Sequence, residues 1–226
     1  MILILLSLYP PLREAEEFGF GDITRLKMPS ISVTYQNLFS ISELQSIKVE
    51  WNNEKYGFQL LHFGTQLYRE ITIGGRYNLT IENIYIVLEP SLLYLSQNDE
   101  YNYGFNSNFM LGIMLRDYKI YLNAIHPVSY IRGMTIPVEM ELCLIYENEW
   151  NSVGFKLDYL EDWGIGLGFG YTLIFTNFKA GIGLLTNPMI PTAGFSVDVS
   201  NICFCAGFQN HPDLGLSRTF TVYYKR

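Results

Sequence analysis

Apolar and polar residues alternate with a period of two along most of this chain. Residues 164–185, GIGLGFGYTLIFTNFKAGIGLL, show the pattern most clearly. The large side chains share one face: Ile165, Leu167, Phe169, Tyr171, Leu173 and Phe175. Gly164, Gly166, Gly168 and Gly170 share the other face, and in no register do the glycines have the spacing of a dinucleotide-binding loop. A strict period of two instead predicts a β-strand.

The same alternation, interrupted by turn residues, divides the chain into fourteen predicted strands. Their ranges are 31–36, 44–51, 55–65, 68–79, 82–95, 101–115, 118–125, 137–147, 151–160, 163–175, 178–186, 192–199, 202–209 and 217–225. The connections between them form two alternating sets, with short turns in one set and mostly longer loops in the other. This arrangement is typical of an all-β, antiparallel, up-and-down barrel with its loops at one end.

Composition separates a membrane barrel from a soluble one. Hydrophobic residues make up 49% of the 226 residues and charged residues only 16%, against about 25% charged in ordinary soluble domains. A soluble sandwich or barrel also alternates, but its outer face carries many charges. Here the less apolar face is mostly Gly, Ser, Thr and Asn. We therefore expect the apolar face to contact outer-membrane lipid, while a soluble β-barrel or sandwich binding protein remains the less favoured alternative.

Other sequence features fit a membrane-spanning barrel. The strands are long enough for a tilted crossing, and several aromatic residues stand near strand ends, as in an interfacial girdle. Those residues are Trp51, Trp150, Trp163, Tyr146, Tyr159 and Tyr223. The net charge of −7 provides no basic surface, so no nucleic-acid partner is predicted.

The small and polar face of the later strands supplies the candidate lumen-lining residues. They are Glu139, Glu141, Lys156, Asp158, Gly164, Gly166, Gly168, Gly170, Lys179, Gly181, Gly183 and Asp198. The four charged residues from Glu139 to Asp158 fall on neighbouring strands. They suit cross-strand charge pairing in a wet lumen better than an acid/base cluster. The glycines let the backbone bend or let another segment approach closely.

No catalytic, metal or cofactor site is predicted. The three histidines, His62, His126 and His211, are far apart and lie in no known catalytic motif. Cys203 and Cys205 point the same way along one strand at a spacing of about 6.6 Å, too far for an easy disulfide. With His211 nearby they still lack a fourth metal ligand, so we expect them to be buried small residues. The chain is accordingly not expected to be an enzyme.

The first thirty residues divide into two predicted segments. Residues 1–15 contain a short apolar run that resembles the core of a secretory signal but lacks its basic start, which indicates a truncated signal. Residues 16–30 would form a periplasmic or luminal segment, and residues 31–226 the barrel. This division predicts a single barrel domain.

The last 65 or so residues resemble the C-terminal strands of FadL-like outer-membrane barrels, including the PorV and PorQ group. The resemblance rests on the Asn187-Pro188 turn, Gly194, and the Leu214-Gly215 pair before the last strand. It departs at Arg218, where the family often has His, and at the chain end, which lacks the terminal Phe.

The resemblance implies fourteen strands in the outer membrane, both termini in the periplasm and an N-terminal segment entering the lumen. It also implies one of two roles. The first is transport of hydrophobic or small solutes, which we take as the leading hypothesis. The alternative is a non-transporting component of a type IX-like secretion system or another envelope assembly, with secretion proteins as partners.

Overall fold

The computed structural model describes residues 29–65, 68–97, 100–131, 137–160, 164–186 and 188–225. Within these ranges the chain forms fourteen β-strands, the predicted number. In chain order they are β1 (Ser30–Asn37), β2 (Gln45–Asn52), β3 (Tyr56–Gly64), β4 (Tyr68–Ile81), β5 (Ile84–Gln97), β6 (Glu100–Leu115), β7 (Tyr118–Ile131), β8 (Glu139–Glu147), β9 (Asn151–Leu160), β10 (Gly164–Ile174), β11 (Phe178–Leu185), β12 (Ile190–Val199), β13 (Ile202–His211) and β14 (Gly215–Lys225). The predicted signal segment and nearly all of the predicted luminal segment lie outside the described residues.

The strands close into one barrel. Every strand pairs antiparallel with the next one along the chain, and β14 pairs with β1. The closing ladder runs from Ser30 opposite Lys225 to Asn37 opposite Arg218. Closure leaves no free sheet edge, so the strand backbones satisfy each other without water. The predicted closed, all-β, up-and-down barrel is confirmed.

The two ends of the barrel differ in their connections. Two- or three-residue turns, such as residues 116–117, join the strands at one end, which we call the turn end. The other end, the loop end, carries the longest connections, residues 38–44 and 132–138. Ser30 and Lys225 both lie at the turn end, because Ser30 pairs with Asn52 just before the turn at residues 53–55.

The two faces of the wall have opposite chemistry. In β12 the side chains of Thr192 and Ser196 are buried inside the barrel, while Phe195 between them is exposed. Large aliphatic residues on the outer face reach high exposure, for example Ile165 at 64% and Ile182 at 65%. A soluble barrel would show the reverse distribution, so the outer face suits contact with hydrocarbon. No helix in the described part of the chain is long and apolar enough to span a membrane.

β7 is longer than its alternation predicts. The predicted strand ends at residue 125, but β7 continues to Ile131 through an irregularity. Ser107 and Asn108 are neighbours on β6, yet they pair with Val128 and Ile125, so two residues of β7 are left over. These are His126, which has a φ of 60°, and Pro127. Such a bulge breaks the period of two without ending the strand.

The predicted aromatic girdle is only partly correct. Trp51, Trp150 and Tyr159 are exposed on the outer surface, while Trp163 lies outside the described residues. Tyr223 is buried, because its position in β14 puts it on the inner face beside Cys203. Its placement in the girdle was wrong, since nearness to a strand end does not decide which face a side chain takes.

Candidate functional site

The inner wall of the barrel is the candidate site, and part of it is built from very small residues. Two cross-strand rows of glycine run over β9 to β13. One joins Gly154, Gly170 and Gly183, and the other joins Gly181, Gly194 and Gly207. Ser and Thr continue this surface on β12, β14 and β1 at Thr192, Ser196, Ser217, Thr219, Thr221, Ser32 and Thr34, all of them buried. We call this surface the small-residue wall.

The predicted luminal glycines of β10 and β11 occupy inner-face positions, and Gly170, Gly181 and Gly183 belong to the small-residue wall. A Cβ atom on Gly183 would stand 2.6 Å from Thr192 Oγ1 and 2.9 Å from the Phe169 carbonyl oxygen. Gly164, at the start of β10, has a φ of +79° and nothing within 4 Å of its Cβ position. The glycines therefore allow close packing between strands at Gly183 and an unusual backbone angle at Gly164.

A cluster of charges lies on the inner face of β8 and β9 and contains four of the predicted residues. We call Glu139, Glu141, Lys156 and Asp158 the carboxylate cluster. Lys156 Nζ lies 3.4 Å from Glu141 Oε1 and 2.6 Å from Asp158 Oδ2. Asn123 on β7 donates a hydrogen bond of 3.0 Å to Glu141 Oε2.

The carboxylate cluster is buried and carries an excess of negative charge. One carboxylate oxygen from each of its three acidic residues lies within 4.8 Å of the others. Glu141 is 1% exposed and Asp158 9% exposed. With three carboxylates and one ammonium group, the cluster has a formal charge of −2 when all four groups are ionised. Asp158 Oδ1 is buried and has no hydrogen-bond partner.

A second charged cluster, on β2, β4 and β5, was missed by the sequence analysis. Lys48 Nζ lies 2.8 Å from Glu50 Oε1, and Arg76 pairs with both Glu50 and Glu89. Asn108 adds a hydrogen bond of 3.3 Å to Glu89 Oε2. Two cations and two carboxylates balance to zero. The alternation around Lys48 and Glu50 in β2 places both residues on the inner face.

The two remaining predicted residues are not brought into the carboxylate cluster. Asp198 lies near the turn end of β12, where Lys225 Nζ approaches its Oδ1 at 2.6 Å. Lys179 occupies an inner position on β11 opposite Ser196 and is half-buried. Both occupy inner-face positions, because their partners Ser196 and Cys203 are buried.

Apolar side chains fill part of the loop end. We call this group the mouth cluster; its buried members are Leu44, Phe63, Tyr68, Leu93, Leu95 and Ile131, with Leu38 and Phe39 packed against them. Three of the eight, Leu38, Phe39 and Leu44, come from the loop between β1 and β2, which folds inward. The alternation in the sequence does not reveal this group, because the loop shows no periodicity and its direction depends on tertiary contacts.

The inward loop is anchored to β14. The Phe39 backbone N–H donates a 3.0 Å hydrogen bond to Ser217 Oγ, and Ser40 Oγ donates one of 3.0 Å to the Leu216 carbonyl. Phe39 and Ser40 both have positive φ angles, 54° and 57°, a conformation that is uncommon for residues other than glycine. A hydrogen bond from Ser42 lowers the pKa of the exposed Glu43 carboxyl on the same loop. The loop thus holds an ordered, strained conformation at the loop end.

Apolar groups also stand near the turn end. Tyr85, Tyr121, Cys143 and Ile145 form one buried group with Met110 and Met114 packed against it, and Cys203, Cys205 and Tyr223 form another. The charged clusters therefore lie between apolar groups at the two ends.

The three histidines are not brought together: His62 lies on β3 and His126 at the β7 bulge. His211 Nδ1 accepts the backbone N–H groups of Asp213 and Leu214 in the turn after β13.

Comparison with known proteins identifies the fold but no family. No family model matches the chain, and no curated protein matches it. The Acinetobacter baumannii outer membrane protein Omp33 has a similar structure, with a TM-score of 0.57 and 8% identity, over 89% of this chain and 99% of that one. A CymD monoaromatic hydrocarbon channel matches with a TM-score of 0.57 and 10% identity, over 95% of this chain and 93% of that one. The chain therefore has a porin-like barrel fold, and the resemblance to FadL-like barrels in particular stays a prediction.

Proposed function

We propose that this chain is an outer-membrane channel for small solutes with an apolar part. The observation that carries the proposal is the distribution of side chains on the closed wall, apolar outside and polar inside. That distribution suits a barrel surrounded by lipid and enclosing a hydrated interior. A channel role is also supported by the fold shared with Omp33 and CymD. Both barrel termini would then face the periplasm, because the turn end of such barrels does.

The mouth cluster supports an apolar class of solute. Leu93 and Leu95 point into the barrel from β5 and Phe63 from β3, where a purely hydrophilic channel would carry polar groups. A solute with an apolar part would bury hydrocarbon surface against them and then pass the charged clusters below. The name of CymD, a monoaromatic hydrocarbon channel, agrees with this class of cargo.

Conductance of the refolded protein in planar bilayers tests the proposal. We expect discrete channels from the wild type. Conductance should increase in a Phe39→Ser, Leu44→Ser variant, because the inward loop loses its apolar anchor. Ile41→Ser is the matched control, because Ile41 belongs to the same loop but is exposed. Uptake of an aromatic amino acid, which crosses bare lipid slowly, and of a sugar of similar size by liposomes then compares the solute classes. Equal rates for both would contradict the apolar preference.

A non-transporting role in secretion or envelope assembly is the second candidate. The observation that favours it is the apolar packing near both ends of the interior, which would suit a filled barrel. A correctly folded wild type that conducts no ions, together with an unchanged Phe39→Ser, Leu44→Ser variant, would support this candidate over the channel. Correct folding is checked by slower gel migration after boiling, which is typical of barrels that resist detergent until heated.

A further inference from the structure

We propose that the carboxylate cluster binds a divalent cation, Ca²⁺ in particular, on the inner wall of the barrel. Glu139 and Glu141 are separated by one position on β8, so their side chains share a face. Asp158 lies directly opposite Glu141 on β9. The register of the two strands thus brings three buried carboxylates together. The proposal does not rest on the channel function, because cation binding can be measured on the folded protein without transport.

The lysine of the carboxylate cluster does not balance its charge. Lys156 supplies one positive charge against three negative ones, and its Nζ lies close to Asp158 Oδ2 and Glu141 Oε1. In the second charged cluster of the interior, by contrast, two cations meet two carboxylates. Burying a charge without a counter-ion is costly. A divalent cation adds the two positive charges that bring the carboxylate cluster to zero.

An orphaned oxygen atom of Asp158 points to a ligand. Lys156 contacts Asp158 Oδ2, whereas Asp158 Oδ1 is buried and has no hydrogen-bond partner. The residue as a whole is only 9% exposed. Buried polar atoms are nearly always paired, so an unpaired carboxylate oxygen indicates a bound ion or water molecule. A cation bound to Oδ1 would satisfy this atom and leave the ion pair with Lys156 in place.

The spacing of the carboxylate oxygens suits Ca²⁺. One oxygen from each of the three acidic residues lies within 4.8 Å of the other two. Ca²⁺ binds oxygen at about 2.3–2.6 Å, so two of its ligands can be up to about 5 Å apart. Mg²⁺ binds oxygen at about 2.0–2.1 Å, which limits this separation to about 4.2 Å. The three carboxylates can therefore share a Ca²⁺ ion with little movement, and water fills its remaining ligand positions.

Equilibrium dialysis of the folded protein in a nonionic detergent against radioactive Ca²⁺ tests the site. The wild type should bind a single ion per chain, with a dissociation constant of about 10⁻⁵–10⁻³ M. Asp158→Asn should weaken binding about tenfold or more. Asp198→Asn is the matched control, because Asp198 also lies on the inner face with a lysine Nζ 2.6 Å from its carboxylate. Since Asp198 lies outside the carboxylate cluster, this variant should bind like the wild type.

Lys156→Met distinguishes a metal site from a cluster that exists only to pair with lysine. The ammonium group repels a cation bound to the same carboxylates, so its removal should tighten Ca²⁺ binding about tenfold or more. Ca²⁺ should also restore stability that this variant loses, because binding stabilises the folded state. A folded Lys156→Met variant that binds Ca²⁺ more weakly than the wild type would overturn the proposal.

Measurements on the wild type decide the matter if a variant fails to fold. Ca²⁺ should raise the temperature at which the folded band disappears from a gel, and the same concentration of Mg²⁺ should raise it less. No saturable Ca²⁺ uptake by the wild type, or equal affinity in the wild type and Asp158→Asn, would contradict the site. So would equal stabilisation by the two ions, which would indicate unspecific binding to surface charges.

Discussion

At the scale of single residues, Lys156 has the largest predicted effect on stability. Its ammonium group bridges Glu141 and Asp158, and all three side chains are buried. Removing one partner of a buried ion pair leaves an uncompensated charge, at a cost of about 3–5 kcal/mol. We therefore expect Lys156→Met to lower the free energy of unfolding in urea by about 3 kcal/mol. The double variant Lys156→Met, Glu141→Gln should recover part of this loss.

Lys225→Met is the control for this prediction. The pair between Lys225 and Asp198 is just as short, 2.6 Å, but its side chains are 42% and 32% exposed. Ion pairs at that exposure contribute about 0–1 kcal/mol. Equal losses of stability in Lys156→Met and Lys225→Met would mean that the interior is wet enough to solvate the carboxylate cluster.

Gly183 gives a second prediction at this scale. A methyl group there would contact Thr192 Oγ1 at 2.6 Å and a backbone oxygen at 2.9 Å, so β10, β11 and β12 would have to separate locally. Gly183→Ala should lower the free energy of unfolding by about 1–3 kcal/mol. Gly75→Ala has nothing within 4 Å of the new methyl group and should be neutral or slightly stabilising. Similar values for the two variants would contradict the close packing described at Gly183.

For single residues, the sequence predicts which face of the wall a side chain takes but not which atoms it contacts. Alternation alone places Glu141, Lys156 and Gly168 on the inner face, because strand geometry fixes which side each residue takes. It cannot say that Lys156 bridges two carboxylates or that the sulfur atoms of Cys203 and Cys205 nearly touch. Those facts depend on strand register and on side-chain rotamers, which the period-two alternation does not specify.

At the scale of elements, closure between β1 and β14 is the contact that joins the two ends of the barrel. Val33 and Val222 face each other across this ladder, and both are exposed on the outer surface. Directly opposite residues in an antiparallel pair are about 4.5–5.5 Å apart between Cα atoms, which a disulfide can span. In a chain whose three cysteines are replaced by serine, Val33→Cys with Val222→Cys should therefore form a disulfide.

The cross-link would be visible after boiling. The linked chain should migrate faster than the reduced one on a denaturing gel, because a disulfide keeps residues 33 and 222 together in the unfolded state. A register mismatch supplies the control: Val33→Cys with Phe220→Cys should cross-link much less, since Phe220 faces Tyr35. Equal cross-linking in both variants would contradict the register of the closing ladder.

The strands themselves could be predicted to within a few residues, whereas irregular backbone could not. Thirteen of the fourteen predicted strands end close to where the structure ends them. β7 is the exception, because the extra residues His126 and Pro127 interrupt the alternation while hydrogen bonding to β6 resumes beyond them. The inward direction of residues 38–44 was equally hidden, since it depends on contacts with β14, which is distant in sequence.

At the scale of the whole molecule, the interior charges predict the ion selectivity of the proposed channel. The cluster of Lys48, Glu50, Arg76 and Glu89 is neutral. The carboxylate cluster carries a formal charge of −2, and one of its oxygens, Asp158 Oδ1, has no partner. Fixed carboxylates inside a pore raise the local concentration of cations and oppose the entry of anions. We therefore expect the wild type to prefer K⁺ over Cl⁻ in a reversal-potential measurement across a KCl gradient.

Neutralising the carboxylate cluster should remove this preference. Glu139→Gln with Asp158→Asn leaves Lys156 with Glu141 alone, so the cluster becomes neutral and the reversal potential should move toward zero. The preference should also shrink as the salt concentration is raised, because ions screen fixed charges over about 10 Å at 0.1 M and about 3 Å at 1 M. Glu43→Gln is the control, since Glu43 is exposed on the loop between β1 and β2. If Glu43→Gln shifted the potential as much as the double variant, selectivity would arise at the loop end and not at the carboxylate cluster.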